Sequence, residues 1–292
     1  MKSIYGIWVP LVTPFRQGQV DLDAVQRLAS NLVTKGIHGL VVCGTTGEAC
    51  ALDDSEQETL LDAVLAVVGS DYPVLMGLGG SDTRSVVDQA RRYDEHDIAG
   101  FLVAAPAYVR PSQEGLLRHF EAIAQNTGHD IVLYNIPSRT GVNIELPTLQ
   151  ALARNPRFVA IKECGGDINQ LIDVINETSL AVLGGDDALI LPTLCLGGRG
   201  AIAASAHIRP DLFVALYERM QSGDLAEARA IFQRLLPLIR TLFSEPNPGP
   251  VKAALARDGW VKDELRLPMT SVSATCRNRL AQIMESLDEV LV

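Results

Sequence analysis

Amines convert ketones into imines, and the residue placed to do so here is Lys162, at the end of the apolar run Phe158-Val159-Ala160-Ile161-Lys162. If that run is a strand, alternation puts Phe158, Ala160 and Lys162 on one face, so the amine would rise from an apolar floor. An ordinary lysine, with a pKa of about 10.4, is neutral in only about one molecule in a thousand near pH 7.4. Desolvation would lower the pKa, enlarge that fraction and produce a Schiff-base nucleophile. The competing reading is a strand-end lysine that reaches solvent or pairs with Glu163. Tyr134 ends a second apolar run and carries a phenol able to pass protons, although a strand-end tyrosine by itself reads as packing. Arg139 lies in Pro137-Ser138-Arg139-Thr140-Gly141, where proline and glycine pin a loop. Its guanidinium could grip a carboxylate with two parallel bonds, or serve as a plain surface charge.

Two further segments carry polar groups at strand ends. Gly44-Thr45-Thr46-Gly47-Glu48 is glycine-rich but lacks the G-K-[ST] of a phosphate loop, and its hydroxyls and backbone N–H groups suit a carboxylate. Gly184-Gly185-Asp186-Asp187 could hold a divalent cation, but a cap on the following helix is the favoured reading. The five histidines show neither H-E-x-x-H nor H-x-H spacing, so a histidine-bound catalytic metal is not expected.

These residues need elements to place them. Short apolar runs at Gly6–Val12, Gly39–Val42, Val74–Leu78, Gly100–Ala104, Ile131–Tyr134, Phe158–Lys162, Ala181–Leu183 and Gly200–Ala203 predict parallel strands covered on both faces. Amphipathic segments lie between them, with start signals at Asp21-Leu22-Asp23, Asp53-Asp54-Ser55-Glu56, Ser81-Asp82-Thr83 and Pro111-Ser112-Gln113-Glu114. Eight strand–helix repeats predict an α/β fold of the (β/α)8 TIM-barrel type, whose chemistry sits at the C-terminal strand ends. An open doubly wound sheet would show G-x-G-x-x-G after its first strand, and this chain has two prolines there. The barrel is expected over residues 1–223 and a helical extension over 224–292, with helices at Asp224–Thr241, Pro250–Asp258 and Ala274–Val290.

Composition narrows the function classes. The 292 residues are 47% hydrophobic and 21% charged, and 25 basic against 35 acidic side chains leave a net charge of −10. Affinity for nucleic acid or anionic membrane comes from clustered Lys and Arg, so neither partner is expected. The five cysteines contain no C-x-x-C pair and read as reduced thiols of a cytosolic protein. With no signal-peptide pattern and no apolar stretch of about 18 residues, a soluble, cytoplasmic protein is expected.

Taken together and in this order, the segments resemble the pyruvate-dependent class I aldolase (N-acetylneuraminate lyase) family, in its dihydrodipicolinate synthase branch. The resemblance runs over nearly the whole chain. It is carried by Gly44-Thr45-Thr46-Gly47-Glu48, Arg110-Pro111-Ser112-Gln113-Glu114-Gly115, Tyr134-Asn135-Ile136-Pro137-Ser138-Arg139-Thr140-Gly141, Ile161-Lys162-Glu163 and Glu245-Pro246-Asn247-Pro248, with Pro250-Val251-Lys252 after it. The Pro-Ser-Arg-Thr-Gly segment is the selective one, because sialic acid lyases and keto-deoxy-sugar aldolases usually lack that arginine. The resemblance implies condensation of pyruvate with L-aspartate 4-semialdehyde in lysine and diaminopimelate biosynthesis. Lys162 would form the imine, with Tyr134, Thr45 and Tyr108 as a proton relay and Tyr108 supplied by an adjacent subunit. Thr46 would hold the pyruvate carboxylate and Arg139 that of the semialdehyde, while Gly185 and Ile202 would line the pocket. The protonated imine is the electron sink, so neither metal nor cofactor is implied, and a homotetramer of two dimers is.

The chain departs from that pattern at one group of positions. Pro106-Ala107-Tyr108 has alanine where lysine-inhibited members carry a first tyrosine. Asp54 and Gln57 stand where histidines occur, Ser81 where asparagine occurs, and Ser85 where glutamate occurs. Weak or absent inhibition by lysine is therefore expected. The same departures leave room for a paralogue using another aldehyde or keto acid, with Asn143, Ile144 and His207 as places where the change could be written. A catalytically silent ligand-binding barrel is a third reading, opposed by the intact Lys162, Tyr134, Thr45 and Tyr108.

Overall fold

A computed structural model describes residues 4–288. Its eight parallel strands are β1 Gly6–Pro10, β2 Gly39–Val42, β3 Val74–Leu78, β4 Gly100–Ala104, β5 Ile131–Asn135, β6 Phe158–Glu163, β7 Ala181–Gly184 and β8 Gly200–Ile202. They close into a barrel in the order β1-β8-β7-β6-β5-β4-β3-β2, the TIM-barrel fold expected from the sequence. Three of the expected strands (Gly39–Val42, Val74–Leu78 and Gly100–Ala104) coincide with observed ones, and the other five differ by one or two residues at the C-terminal end. Near-continuous burial along them is what strands covered on both faces require.

The chain divides into two compact units. Of the described residues, one comprises 4–6 and 73–202, the other 7–72 and 203–288. The first holds β3 to β8, whose buried strands are joined by helices that bury one apolar stripe each. The helix after β3, Thr83–Arg92, buries Val86, Val87 and Ala90, and its N-cap Asp82 accepts the Ser85 N–H at 3.0 Å. The helix after β4, Gln113–Ala124, is capped by Ser112 on the Gly115 N–H at 3.2 Å. Such caps satisfy N–H groups that the first helical turn leaves without partners.

The second unit holds β1 from Ile7 onward, β2 and the chain after residue 202. Trp8 pairs in register with Gly39, and a Cβ at Gly39 would stand 2.4 Å from the Trp8 ring, so that position admits only glycine. Helix Leu22–Thr34 is capped by Asp21, and helix Asp54–Val68 begins with a reciprocal capping box between Asp53 and Glu56. A two-stranded ribbon, Phe15–Arg16 with Gln19–Val20, went unnoticed in the sequence reading. Its Gln17-Gly18 turn has φ values of 54° and 78°, the left-handed pair that tight hairpins use. Helices Pro210–Gln221, Leu225–Leu242, Gly249–Arg257 and Ala274–Asp288 follow the last strand. Positions 289 and 290 of the last expected helix lie outside the described residues. No helix among the described residues is long and apolar enough to cross a membrane.

Candidate active site

Tyr134 and Lys162 occupy directly paired positions near the C-terminal ends of β5 and β6. Both are buried, Lys162 to 6% exposure, and the ammonium nitrogen lies 4.4 Å from the centre of the Tyr134 ring. The phenol also acts on the amine electrostatically. Glu163 does not pair with Lys162. Strand alternation turns it to the other face, where its carboxylate accepts from Asn135 Nδ2 at 3.0 and 3.1 Å and from the Gly165 N–H at 2.5 Å.

The sequence reading expected desolvation to lower the Lys162 pKa, and that expectation is corrected. Burial does pull the value down and is the largest single influence, but the Tyr134 phenol, Cys164 and Asp187 together outweigh it, and the net direction is upward. An apolar floor was legible in the strand pattern, whereas the groups gathered round the amine come from three separate strand ends. The resting amine is therefore an ammonium, and imine chemistry requires that its proton leave through a neighbour. Tyr134 is the titratable group paired beside it.

Gly185 follows β7, its N–H bonded to the Glu163 carbonyl at 2.9 Å. A Cβ there would stand 2.2 Å from Cys164 Sγ and 2.7 Å from Lys162 Cε, so glycine is what leaves the lysine room. Asp186 caps the following turn through the Ala188 N–H at 3.1 Å, the favoured one of the two readings of Gly-Gly-Asp-Asp. Asp187 is buried and faces the Lys162 amine electrostatically, a role the sequence reading missed by treating the two aspartates alike. Ile202 is the buried last residue of β8.

Arg139 lies on a one-turn helix, Pro137–Thr140, that starts on proline and is closed by Gly141 at φ 77°. The expected pinned loop is thus a helical turn. It shares an open groove of about 590 Å³ with Tyr108 and Arg110, so two guanidiniums border the space. Arg110 is quoted in the sequence only as part of a family motif, without a role; its side chain crosses Gly141 so closely that a Cβ there would lie 2.6 Å from its Nε. Tyr108 is 91% exposed and, like Arg110, has a positive φ (72° and 45°). Such backbone strain in non-glycine residues concentrates at functional segments.

In the other unit, Thr45–Gly47 form a tight helical turn after β2, flanked by Cys43 and Glu48 at φ 55° and 54°. Thr45 is exposed and Thr46 buried. Asn247 Nδ2 donates to Thr46 Oγ1 at 3.0 Å, and Glu48 forms a buried ion pair with Lys252, whose ammonium also donates to the Glu264 carbonyl at 2.9 Å. Two sequence motifs more than 190 residues apart thus meet through side chains. The sequence reading quoted Asn247 and Lys252 but gave them no role, and only their place in a motif signalled one.

Asn143 and Ile144 are not free to read a substrate. Asn143 bonds Asn135 and Gln170, and the Ile144 N–H donates to Asn135 Oδ1 at 3.0 Å. His207 is likewise committed, accepting the Val12 N–H at Nε2 (3.2 Å) and bonding the Ala204 carbonyl through Nδ1 (2.8 Å). Among the described residues no cluster of three or more His, Cys, Asp or Glu side chains could hold a metal ion.

Known proteins match this chain along its length. The model of the dihydrodipicolinate synthetase family matches residues 3–287. A 4-hydroxy-tetrahydrodipicolinate synthase of Thermodesulfovibrio yellowstonii is 40% identical over 283 residues, covering 96% of this chain and 97% of that protein. The structure of a synthase of the same name from Methylacidiphilum fumariolicum superposes with a TM-score of 0.96 at 36% identity, covering 98% of this chain and 97% of the other. A dihydrodipicolinate synthase from Cyanidioschyzon merolae, crystallised with lysine bound, gives 0.95 at 34% identity over 98% and 99% of the two chains.

Proposed function

The chain belongs to the dihydrodipicolinate synthetase family, lyases of lysine biosynthesis, and on that premise we propose that it condenses pyruvate with L-aspartate 4-semialdehyde to 4-hydroxy-tetrahydrodipicolinate. The observation that carries the reading is the buried Lys162–Tyr134 couple, paired in register with the amine 4.4 Å from the ring centre. Tyr134 takes the ammonium proton while its own phenolic proton passes along the relay towards solvent, and the free amine adds to the pyruvate ketone. Loss of water gives the protonated imine, and removal of a methyl proton gives the enamine. Its carbon bonds the aldehyde carbon, whose oxygen takes up a proton. The substrate's amine then attacks the imine carbon, closes the ring and expels Lys162.

Following the family, Thr45 and Tyr108 complete the proton relay, Thr46 holds the pyruvate carboxylate, and Gly185 and Ile202 line the pocket. Arg139 binds the carboxylate of the semialdehyde, with Arg110 bordering the same groove. Tyr108 serves a neighbouring copy in a homotetramer, a role consistent with its 91% exposure. Insensitivity to lysine belongs to the same proposal. Ser85 offers no carboxylate for an inhibitor's ammonium, and Ala107 offers no ring, its carbonyl being occupied by Ser81 Oγ at 2.8 Å.

The test is turnover of both substrates coupled to the next reductase, with Lys162→Ala as control, together with borohydride trapping of pyruvate. Wild-type turnover lost in the variant, with an adduct on Lys162, is the expected result. Trapping without turnover would move the second substrate to another aldehyde. Folded wild-type protein that traps nothing would leave a silent barrel.

A further inference from the structure

Each residue of the lysine–tyrosine couple is followed by a buried polar residue, and those two residues are bonded to each other. Asn135 pairs in register with Glu163 as Tyr134 does with Lys162. Asn135 is fully buried and Glu163 is 7% exposed. Both donor hydrogens of the asparagine are engaged, Nδ2 donating to the two Glu163 oxygens and to Asn143 Oδ1, at 2.8 Å, while Oδ1 accepts the Ile144 N–H. The glutamate also accepts the Gly165 N–H, and the Cys164 N–H closes on the Asn135 carbonyl at 2.9 Å. Asn143 in turn donates to Gln170 at 2.7 Å, on helix Ile168–Glu177.

This arrangement stands where register matters most. The β5–β6 ladder shifts between Ile131 and Val132, so Val159 is skipped and the pairing downstream is one residue out of step with the pairing upstream. A slip of one residue would turn Lys162 to the outer face and Glu163 inward. We propose that Asn135 and Glu163 are positioning residues, a clamp that fixes the register of the two strand ends and thereby aligns the Lys162 amine with the Tyr134 phenol. The proposal rests on the synthase reading above. A buried carboxylate is costly to retain, and Glu163 has its pKa pushed up by burial, against the opposing hydrogen bonds from Asn135 and Gly165. Packing alone would be served by an apolar pair of similar volume.

The test uses the full chain and compares Glu163→Ala, Glu163→Gln, Asn135→Asp, the swap Asn135→Asp/Glu163→Gln, and Tyr134→Phe with and without Glu163→Ala. Circular dichroism verifies folding, and the readouts are kcat, KM for pyruvate and the rate of borohydride trapping. Glu163→Ala should lower kcat and trapping by about 10- to 100-fold, the loss expected from a misplacement near 1 Å, with KM changed less than about threefold. Glu163→Gln, which keeps an acceptor for Asn135, should retain more activity than Glu163→Ala. Asn135→Asp sets two carboxylates together and should lose activity that the swap restores with donor and acceptor exchanged. In the Tyr134→Phe background Glu163→Ala should cost little more, because no phenol remains to be aligned. If Glu163→Ala does not fold, Asn135→Asp and the swap decide. Unchanged kcat in Glu163→Ala or Asn135→Asp, a swap no better than Asn135→Asp, or an undiminished loss in the Tyr134→Phe background overturns the clamp. Wild-type protein that fails to trap pyruvate overturns the synthase reading and the clamp with it, whereas trapping in the wild type and undiminished trapping in the variants overturns the clamp alone.

Discussion

Burial pulls the Lys162 pKa down, but Tyr134, Cys164 and Asp187 around it push the other way and the net direction is upward, so the resting amine is an ammonium. Its pKa lies above the ordinary lysine value, and the amine attacks only after losing its proton. Trapping with pyruvate at fixed concentration should therefore accelerate as pH rises from 6 to 9, a profile read by quenching with borohydride at each pH. Tyr134→Phe removes the largest influence holding the pKa up and also the proton carrier. The profile should move to lower pH while kcat falls by roughly 10²–10⁴-fold, the range for loss of a positioned acid–base group. A profile that stays in place would separate Tyr134 from the ionisation of Lys162. Gly185 is a residue-scale requirement of another kind. Gly185→Ala should block the site, since its methyl would collide with Cys164 and Lys162, and trapping measures that loss directly.

Two buried polar devices act on whole elements of the second unit. His207 accepts a backbone N–H at Nε2, which fixes the neutral tautomer with the proton on Nδ1. Burial lowers its pKa from 6.5 to about 4. For such a group the unfolded chain takes up a proton first, so stability declines as pH falls from about 6.5 and the loss is complete near pH 4. The difference of about 2.5 units corresponds to ~3 kcal/mol. Urea unfolding at pH 7.5 and 5 should show a larger decline for wild type than for His207→Gln, which cannot titrate. Lys252 and Glu48 tie helix Gly249–Arg257 to the turn carrying Thr45 and Thr46, and both side chains are at most 2% exposed. Lys252→Met strands a buried carboxylate and should cost about 3–5 kcal/mol, while a further Glu48→Leu should recover much of it. Equal stability of wild type and Lys252→Met would show that the pair contributes nothing.

At the scale of the molecule, Tyr108 and the altered inhibitor positions make separable predictions. Its side chain is 91% exposed, so Tyr108→Phe should leave the thermal midpoint unchanged within about 1 °C. If the phenol serves a neighbouring copy, kcat nevertheless falls, and sedimentation finds an oligomer in both proteins. Turnover should continue at millimolar lysine, because Ser85 provides no counter-ion for its ammonium. Inhibition at or below that concentration, read in steady state, would reverse this expectation. With a net charge of −10 the chain would draw in the anionic substrates proposed above only through local cations, and Arg110 and Arg139 border one groove.

Strand positions and caps were legible in the sequence because each depends on local pattern, whereas Lys162, Tyr134 and Arg139 stood out from their plainer readings only through the motifs shared with the family. Short continuous apolar runs mark the strands, Asp and Ser mark helix starts, and strand ends mark where a barrel works. The Gln17–Gly18 hairpin escaped because its strands are two residues each, too short for any periodicity. What the sequence could not supply was the sign of the Lys162 pKa, the partner of Glu163, or the commitments of Asn143, Ile144 and His207. Most of these rest on groups distant in the chain: Asn135 on Glu163 across 28 residues, Asn143 on Gln170 across 27, the Val12 N–H on His207 across 195. Desolvation can be estimated from one strand's pattern, but Coulomb and hydrogen-bond contributions depend on distances of a few ångströms, and only the folded chain fixes those.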